Sequence, residues 1–184
     1  MIFEPTPLKG SYFINISSIT DERGWFARTF CKEEFNEMGI CSEWVQMNHS
    51  FTSKKGTIRG MHFQKPPCAE AKLIRCIVGK VFDVLIDLRK DSITFLKWHG
   101  VELSAQNKKM IYIPEGFAHG FQSLEDNAEL IYMHSKPYKK NYEGAIKYND
   151  EMIAINWPLQ LSNISKRDNK HPFLTTDFEG INIK

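Results

Sequence analysis

The sequence predicts an all-β protein, built as an antiparallel β-sandwich or barrel with a few short helices. Runs rich in Val, Ile, Phe and Tyr outnumber helical runs and lie between Gly, Pro, Asn and Asp residues that favour turns. Residues 81–88 alternate with a period of two, so the apolar residues at even positions share one face while Asp83, Leu85 and Asp87 share the other. One face therefore belongs to a core, and the mixed face suits a sheet that lines a cavity.

The elements follow in chain order. A short helix is predicted at 32–38, ended by Gly39. Gly79 separates two strands and predicts a tight turn between them. Residues 158–168 read as a loop or short helix, and residues from about 172 carry so little pattern that a loosely held tail is expected. The clearest strands are 72–78, 81–88, 98–103, 110–113 and 129–134.

Bulk properties indicate one cytoplasmic domain spanning residues 1–184, with a peripheral C-terminal segment from about 158. A net charge of +2 gives no indication of nucleic-acid binding. No apolar run approaches the ~20 residues of a membrane span, and the first residues lack the pattern of a signal peptide. Without CxxC spacing, the cysteines are expected to be reduced thiols: Cys31, Cys41, Cys68 and Cys76.

A metal site is the first possibility for the segment GMHFQKPPCAEAKLIR, residues 60–75. With the later PEGFAH segment, its frame resembles a cupin, in which HxH, a carboxylate and a further histidine bind a metal. Here Gln64 replaces the second histidine, and a neutral amide is a poor ligand for zinc or iron. His62, Glu70 and His119 remain as possible ligands. The alternative for PEGFAH is a strand-entry turn whose histidine packs inside.

Acid–base chemistry is the second possibility, and it rests on three residues from separate strands. His62 alone reads as a core histidine, Lys72 as a cation that reaches solvent, and Tyr132 as an amphipathic packing residue. Together on one small barrel, they form a candidate base, a cation that stabilises an oxyanion, and an acid.

A series of motifs between about residues 21 and 168 resembles the dTDP-4-dehydrorhamnose 3,5-epimerase family. Each motif alone is weak evidence, but their order along the chain is specific. The motifs are QMNHS (46–50), KGTIRGMHFQKPP (55–67), KLIR (72–75), VFDVLIDLR (81–89), VELSAQN (101–107), PEGFAHGF (114–121) and INWP (155–158).

The resemblance implies a cupin-type jelly roll (double-stranded β-helix) that works as a homodimer without metal or cofactor. It implies a nucleoside-diphospho-4-keto-6-deoxy-hexose substrate that is inverted at C3 and C5. The matching positions make His62 the base, Lys72 the oxyanion partner and Tyr132 the acid. Asp168, in the segment SKRD, corresponds to the aspartate that orients the base.

The family's nucleotide and phosphate contacts also have counterparts in this chain. Arg23 and Phe26 are expected to reach the partner's site through an exchanged N-terminal strand. Guanidinium groups suit a diphosphate because they bind its oxygens bidentately. The full substrate-binding set is Arg23, Phe26, Gln46, Asn48, Arg59, His119, Tyr138 and Glu143.

Three positions depart from the family pattern. Arg28 stands where many members carry Glu, Asn156 where Asp is common, and Tyr148 where Trp is common. These changes leave open the sugar, the nucleotide and whether both carbons are inverted. The alternatives are a 3-epimerase, an epimerase of CDP- or GDP-linked sugars, a non-catalytic sugar-nucleotide-binding module and a metal-dependent cupin.

Overall fold

β-Strands form most of the architecture in the computed structural model, which describes residues 1–183. One α-helix, α1, spans Lys32–Glu37, and 3₁₀ turns span Lys140–Tyr142 and Asp168–Lys170. The strands are β1 (Ile2–Pro5), β2 (Tyr12–Asn15), β3 (Ser18–Asp21), β4 (Gly24–Ala27), β5 (Gln46–Thr52), β6 (Thr57–Gln64), β7 (Lys72–Val78), β8 (Lys80–Asp87), β9 (Trp98–Ser104), β10 (Met110–Ile113), β11 (Phe117–Ser123), β12 (Ala128–His134), β13 (Glu143–Ala145) and β14 (Asn163–Ile164).

Two sheets carry the fold. The first sheet has the order β1-β2-β10-β7-β12-β5, and the second has the order β13-β6-β11-β8-β9, with β14 added beside β6. A buried core draws Ile74 and Leu130 from the first sheet and Leu85 and Phe121 from the second. The strand pairs within the sheets are antiparallel except β14 with β6, and β3–β4 form a separate hairpin. The predicted all-β class is therefore confirmed.

Most predicted elements lie close to their observed bounds. Strands β7 and β10 begin and end where the sequence places them, and α1 ends one residue earlier than predicted. In β8, Val84 and Ile86 pack into a second buried cluster outside the first, while Leu85 points into the core between the sheets. Both faces of β8 are thus covered, which the period of two alone could not show.

The turn at Gly79 differs in kind from a hairpin. Gly79 has a φ of +71°, which favours glycine, but β7 belongs to the first sheet and β8 to the second. The tight turn therefore carries the chain from one sheet to the other, and the two strands it joins do not pair.

The prediction of a loosely held C-terminal tail is wrong. Ile181 is buried, forms a parallel bridge with Arg89 and accepts the backbone N–H of Lys90. Phe178 stacks on Phe95 with ring centroids 6.1 Å apart. Isolated apolar residues among polar ones carry no periodic signal, so sequence patterning missed this docking. In the described part of the chain, no helix has the length and apolar character needed to cross a bilayer.

Candidate active site

A cavity of about 650 Å³ opens between the two sheets. Strands of both sheets and the segment around Asp168 contribute to its walls. Its polar lining residues are Asn48, Ser50, Thr57, Arg59, His62, Gln64, Glu70, Lys72, His119, Tyr132, His134, Tyr138, Glu143, Asn163, Ser165, Arg167 and Asp168.

Strand register places His62 and His119 side by side. They are direct partners across β6 and β11, so both side chains face the cavity. Next to them, the two strands approach so closely that a Cβ on Gly60 would lie 2.5 Å from the Cα of Gly120. Gly60 also has a φ of +140°, so only glycine fits this crossing without strain. The glycines thus set the spacing of the two histidines.

His62 and Asp168 form a hydrogen-bonded pair. The Nε2 of His62 lies 3.1 Å from Asp168 Oδ1, and Oδ2 of the same carboxylate accepts the backbone N–H of Gly60 at 3.2 Å. Burial alone would raise the pKa of Asp168, but the hydrogen bond and charge of His62, together with Gly60 and Ser165, hold that pKa well below its usual value. An ionised Asp168 fixes the proton on Nε2 and leaves Nδ1 unprotonated. Nδ1 has no hydrogen-bond partner within residues 1–183.

Lys72 is a buried cation held at the start of β7. Its Nζ lies 3.3 Å from Glu70 Oε1 and donates to the backbone carbonyl of His62 at 3.4 Å. Glu70 also contacts His134, at 3.2 Å. Burial would raise the pKa of Glu70, but His134 and Lys72 outweigh it and lower that pKa. Glu70 therefore stays ionised and balances the ammonium beside the cavity.

Tyr132 lies on β12 of the first sheet, across the cavity from His62 on the second sheet. Its hydroxyl is 2.9 Å from the hydroxyl of Ser50. Burial raises the pKa of Tyr132 above its ordinary value, and the nearby Arg59 and Ser50 lower it by less. The expectation that positive charge lowers this pKa is wrong, because burial is the larger effect. The phenol consequently stays protonated at neutral pH.

His119 is buried and paired with a carboxylate that sequence reasoning did not single out. Its Nε2 lies 2.8 Å from Asp83 Oδ2, and Asp83 is fully buried on β8. Burial lowers the pKa of His119, with Asp83 opposing the shift. The alternation in β8 placed Asp83 on the mixed face, and the β8–β11 register brings it diagonally beside His119.

The remaining cavity residues differ in how freely they can meet a ligand. Arg59 donates to Thr52 Oγ1 and to the carbonyl of Phe51, so its charge has only uncharged acceptors. Tyr138 donates its hydroxyl to Glu143, and its backbone N–H to Gln46 Oε1. Asn48 is 3.2 Å from His134 Nε2. Gln46 lies at the rim and donates to Asn48 without lining the cavity itself.

Arg23 and Phe26 lie outside the cavity of this chain. They belong to the exposed β3–β4 hairpin, where the side chain of Arg23 is 84% exposed and pairs with Asp21. Phe26 is 73% exposed. Two of the departures from the family pattern are also outside the cavity: Arg28 pairs with Glu34, and Asn156 is exposed.

The cupin ligand set does not converge. Gln64 donates to Glu70 Oε2 and accepts the backbone N–H of Lys139, so it is a structural amide. Glu70 is engaged with Lys72, and His119 with Asp83. Besides Asp83, sequence reasoning missed Ser50, His134 and Arg167, whose roles depend on strand pairing; for Arg167, its place in SKRD next to Asp168 was the available signal.

Comparisons with known proteins agree with these observations. The family model described as dTDP-4-dehydrorhamnose 3,5-epimerase matches residues 5–176. The chain is 49% identical over 160 residues to the dTDP-4-dehydrorhamnose 3,5-epimerase of Shigella flexneri, covering 86% of this chain and 88% of the relative.

Two solved structures resemble the whole chain. The dTDP-4-dehydrorhamnose 3,5-epimerase of Elizabethkingia anophelis superposes with a TM-score of 0.92 at 40% identity, covering 97% of this chain and 98% of the other. A dTDP-6-deoxy-D-glucose-3,5-epimerase from Legionella pneumophila, solved in complex with dTDP-4-keto-L-rhamnose, gives 0.91 at 35% identity, covering 100% and 98%. These likenesses confirm the predicted cupin-type jelly roll.

Proposed function

This chain belongs to the dTDP-4-dehydrorhamnose 3,5-epimerase family, and we propose that it inverts C3 and C5 of dTDP-4-dehydro-6-deoxyglucose to give dTDP-4-dehydrorhamnose. The observation that carries the proposal is the His62–Asp168 pair, whose free Nδ1 belongs to a side chain that lines the cavity opposite Tyr132. A binding module has no need of an opposed base and acid, so this arrangement favours an enzyme.

Proton abstraction is assigned to His62. The C4 ketone acidifies the hydrogens on C3 and C5, and neutral imidazole is a suitable base near pH 7. Because Asp168 holds the proton on Nε2, Nδ1 offers its lone pair to the substrate. The same carboxylate then stabilises the imidazolium that forms.

Lys72 and Tyr132 complete the inversion in the proposed mechanism. The charge released by deprotonation moves to the C4 oxygen as an enolate, where the fixed ammonium of Lys72 stabilises it. Tyr132, on the facing sheet, returns a proton to the opposite face of the same carbon. A phenol with a raised pKa is still far more acidic than the C–H bond it forms, so this transfer is favourable. Exchange with water resets both groups, and the second carbon follows the same cycle.

Substrate binding is assigned to the polar residues around these three. Arg59 is the cation with uncharged acceptors only, so it is available for the diphosphate. His119, Asn48, Gln46, Tyr138 and Glu143 are assigned to the nucleotide and the remaining phosphate contacts.

We further propose that residues 1–184 form one epimerase domain that works as a homodimer. Exposed apolar side chains on the β3–β4 hairpin and on edge strand β5 support a partner there: Ile19, Phe26, Met47 and Phe51 are each more than half exposed. Arg23 and Phe26, which lie outside their own chain's cavity, are then free to complete the partner's site. Light scattering coupled to size exclusion tests this, and a monomer at micromolar concentration would contradict it.

The direct test of the function is incubation with dTDP-4-dehydro-6-deoxyglucose in D₂O, followed by NMR. We expect deuterium at both C3 and C5 and formation of the L-rhamno product. Deuterium at one carbon only would indicate a mono-epimerase, and none at either would contradict the proposal. A thermal-shift series with dTDP, CDP and GDP identifies the nucleotide carrier, since a ligand of the folded state raises Tm.

A further inference from the structure

Three metal-ligand atoms converge on the side of His62 that faces away from the proposed base nitrogen. His62 Nε2 and His171 Nε2 lie 3.1 Å and 3.3 Å from the same oxygen, Asp168 Oδ1. All three atoms are within 4.8 Å of one another. Two imidazole nitrogens and a carboxylate oxygen are the ligands that Zn²⁺ prefers in catalytic-type sites.

His171 supplies an independent indication of a ligand. Its side chain is only 10% exposed, and its Nε2 is buried with no hydrogen-bond partner among residues 1–183. The ring meets that of His62 edge to face, with centroids 5.2 Å apart, so the unsatisfied nitrogen is held beside Asp168. Burial lowers the pKa of His171, which keeps the ring neutral and able to coordinate a metal. An unpaired buried nitrogen normally has a partner, and a metal ion would provide one.

The spacing also suits the ion. With Zn–N and Zn–O bonds of about 2.0–2.2 Å, neighbouring ligands of a tetrahedral site stand about 3.3–3.5 Å apart. The two measured separations from Asp168 Oδ1, 3.1 and 3.3 Å, are close to this without rearrangement of the backbone. We propose that His62, Asp168 and His171 bind a zinc-like divalent transition metal ion, with water in the fourth position, and that this ion inhibits the enzyme.

Arg167 is the group that competes with the ion. Its Nε lies 3.4 Å from Asp168 Oδ1, and its Nη2 lies 3.3 Å from His62 Nε2. The side chain is 58% exposed and also donates to Glu143 at 3.2 Å. Rotation toward solvent and Glu143 clears the site at the cost of a mostly exposed contact, which is small. The guanidinium thus tunes the metal affinity and leaves the site accessible.

Inhibition follows from the tautomer of His62. Neutral imidazole carries one N–H, and a metal on Nε2 obliges that proton to sit on Nδ1. The nitrogen assigned to substrate deprotonation then has no lone pair, and Asp168 is occupied by the metal. This consequence rests on the proposed function, whereas binding of the ion does not.

Binding is tested without substrate, on the full-length protein after treatment with a chelator. Titration with Co²⁺ is expected to give the visible absorption of a four-coordinate site that saturates at one ion per chain, and Zn²⁺ is expected to displace it. His171→Gln removes a ligand, and His171→Phe removes it while retaining a ring against His62. We expect both variants to lose more than the ~10–100-fold in affinity that an outer-sphere change costs. His99→Gln, at another half-buried histidine on β9, is the matched control and is expected to bind normally.

The inhibition is tested by the D₂O exchange assay with and without Zn²⁺. We expect Zn²⁺ to stop exchange in the wild type and in His99→Gln, and the chelator to restore it. The two His171 variants are expected to exchange at the wild-type rate and to resist Zn²⁺. The absence of a Co²⁺ spectrum in the wild type, or unchanged metal affinity in both His171 variants, would overturn the site. If Co²⁺ binds as expected but no protein shows exchange, the proposed function fails and the metal site stands.

Discussion

At the scale of single residues, each group assigned to the chemistry is held by a second group from another part of the chain. The partner fixes a proton or balances a charge, so the reacting group arrives in one state. Burial makes these partners necessary, since an unpaired polar group inside the protein is costly. The pairs are His62 with Asp168, Lys72 with Glu70, Tyr132 with Ser50, and His119 with Asp83.

Asp168 links the site to stability in acid. Its pKa is lowered in the folded state, so it contributes stability that is fully present above the unfolded value of about 3.9 and is lost as pH falls below it. We expect Asp168→Asn to lower the free energy of unfolding by about 2 kcal/mol at pH 7, the usual cost of a lost charged hydrogen bond. In urea titrations, the gap to the wild type is expected to shrink between pH 5 and pH 3. A gap independent of pH would contradict the assignment.

Tyr132 separates deprotonation from inversion. If it is the acid, Tyr132→Phe keeps His62-dependent deuterium exchange but loses inverted product by about 10²–10⁴-fold. Because burial raises the pKa of the phenol above about 10, the wild type is also expected to show no loss of turnover from its ionisation between pH 7 and 9. NMR of substrate and product distinguishes the two processes. Normal product formation by the variant would exclude Tyr132 as the acid.

At the scale of secondary-structure elements, the paired strands β6 and β11 and the C-terminal segment do most to position the site. The β6–β11 register places His62 beside His119, and the segment after β14 returns Asp168 to the same place. The residues that follow pack along β8, through Phe178 and the bridge of Ile181 to Arg89. The docked segment therefore anchors the chain just beyond Asp168.

Ile181 tests whether this docking is stabilising. Its side chain is 7% exposed and packs in the second buried cluster, so Ile181→Ala is expected to cost about 2–4 kcal/mol in unfolding free energy. The neighbouring exposed Asn182→Ala is the control and is expected to stay within about 0.5 kcal/mol of the wild type. Equal stability of the two variants in urea would mean that the tail is loosely held after all.

Local patterning predicted the elements better than their partners. The bounds of β7 and β10 follow from apolar runs and turn residues, and the motifs brought His62, Lys72, Tyr132 and Asp168 to notice. Asp83, by contrast, reads as an ordinary polar residue until the β8–β11 register sets it beside His119. The raised pKa of Tyr132 likewise depends on burial by residues distant in sequence. Long-range pairing of this kind leaves no signal in a single sequence.

At the scale of the whole molecule, the two sheets act as opposite walls of one cavity. The base lies on the second sheet, and the oxyanion cation and the acid lie on the first. A sugar held between the walls can lose a proton to one side and gain a proton from the other, which inversion requires. The exposed hairpin that carries Arg23 extends away from both sheets, toward the proposed partner subunit.

Co-expression of two inactive variants tests whether the site is shared between subunits. Arg23→Ala is expected to lose activity although Arg23 lies outside its own cavity, and His62→Ala is expected to be inactive. In mixed dimers, the chain with an intact His62 receives Arg23 from its partner. Random pairing then restores about a quarter of wild-type activity, since half the dimers are mixed and each has one complete site. No recovery in isolated mixed dimers would exclude sharing.

The measurement that bears most directly on the proposed mechanism compares the wild type with His62→Asn in D₂O. With dTDP-4-dehydro-6-deoxyglucose as substrate, we expect the wild type to introduce deuterium at C3 and C5. We expect the variant to introduce it at neither carbon, while dTDP still raises its Tm as it does for the wild type. Exchange by His62→Asn within about tenfold of the wild-type rate would contradict the assignment of His62 as the base, since general base catalysis contributes about 10²–10⁴-fold.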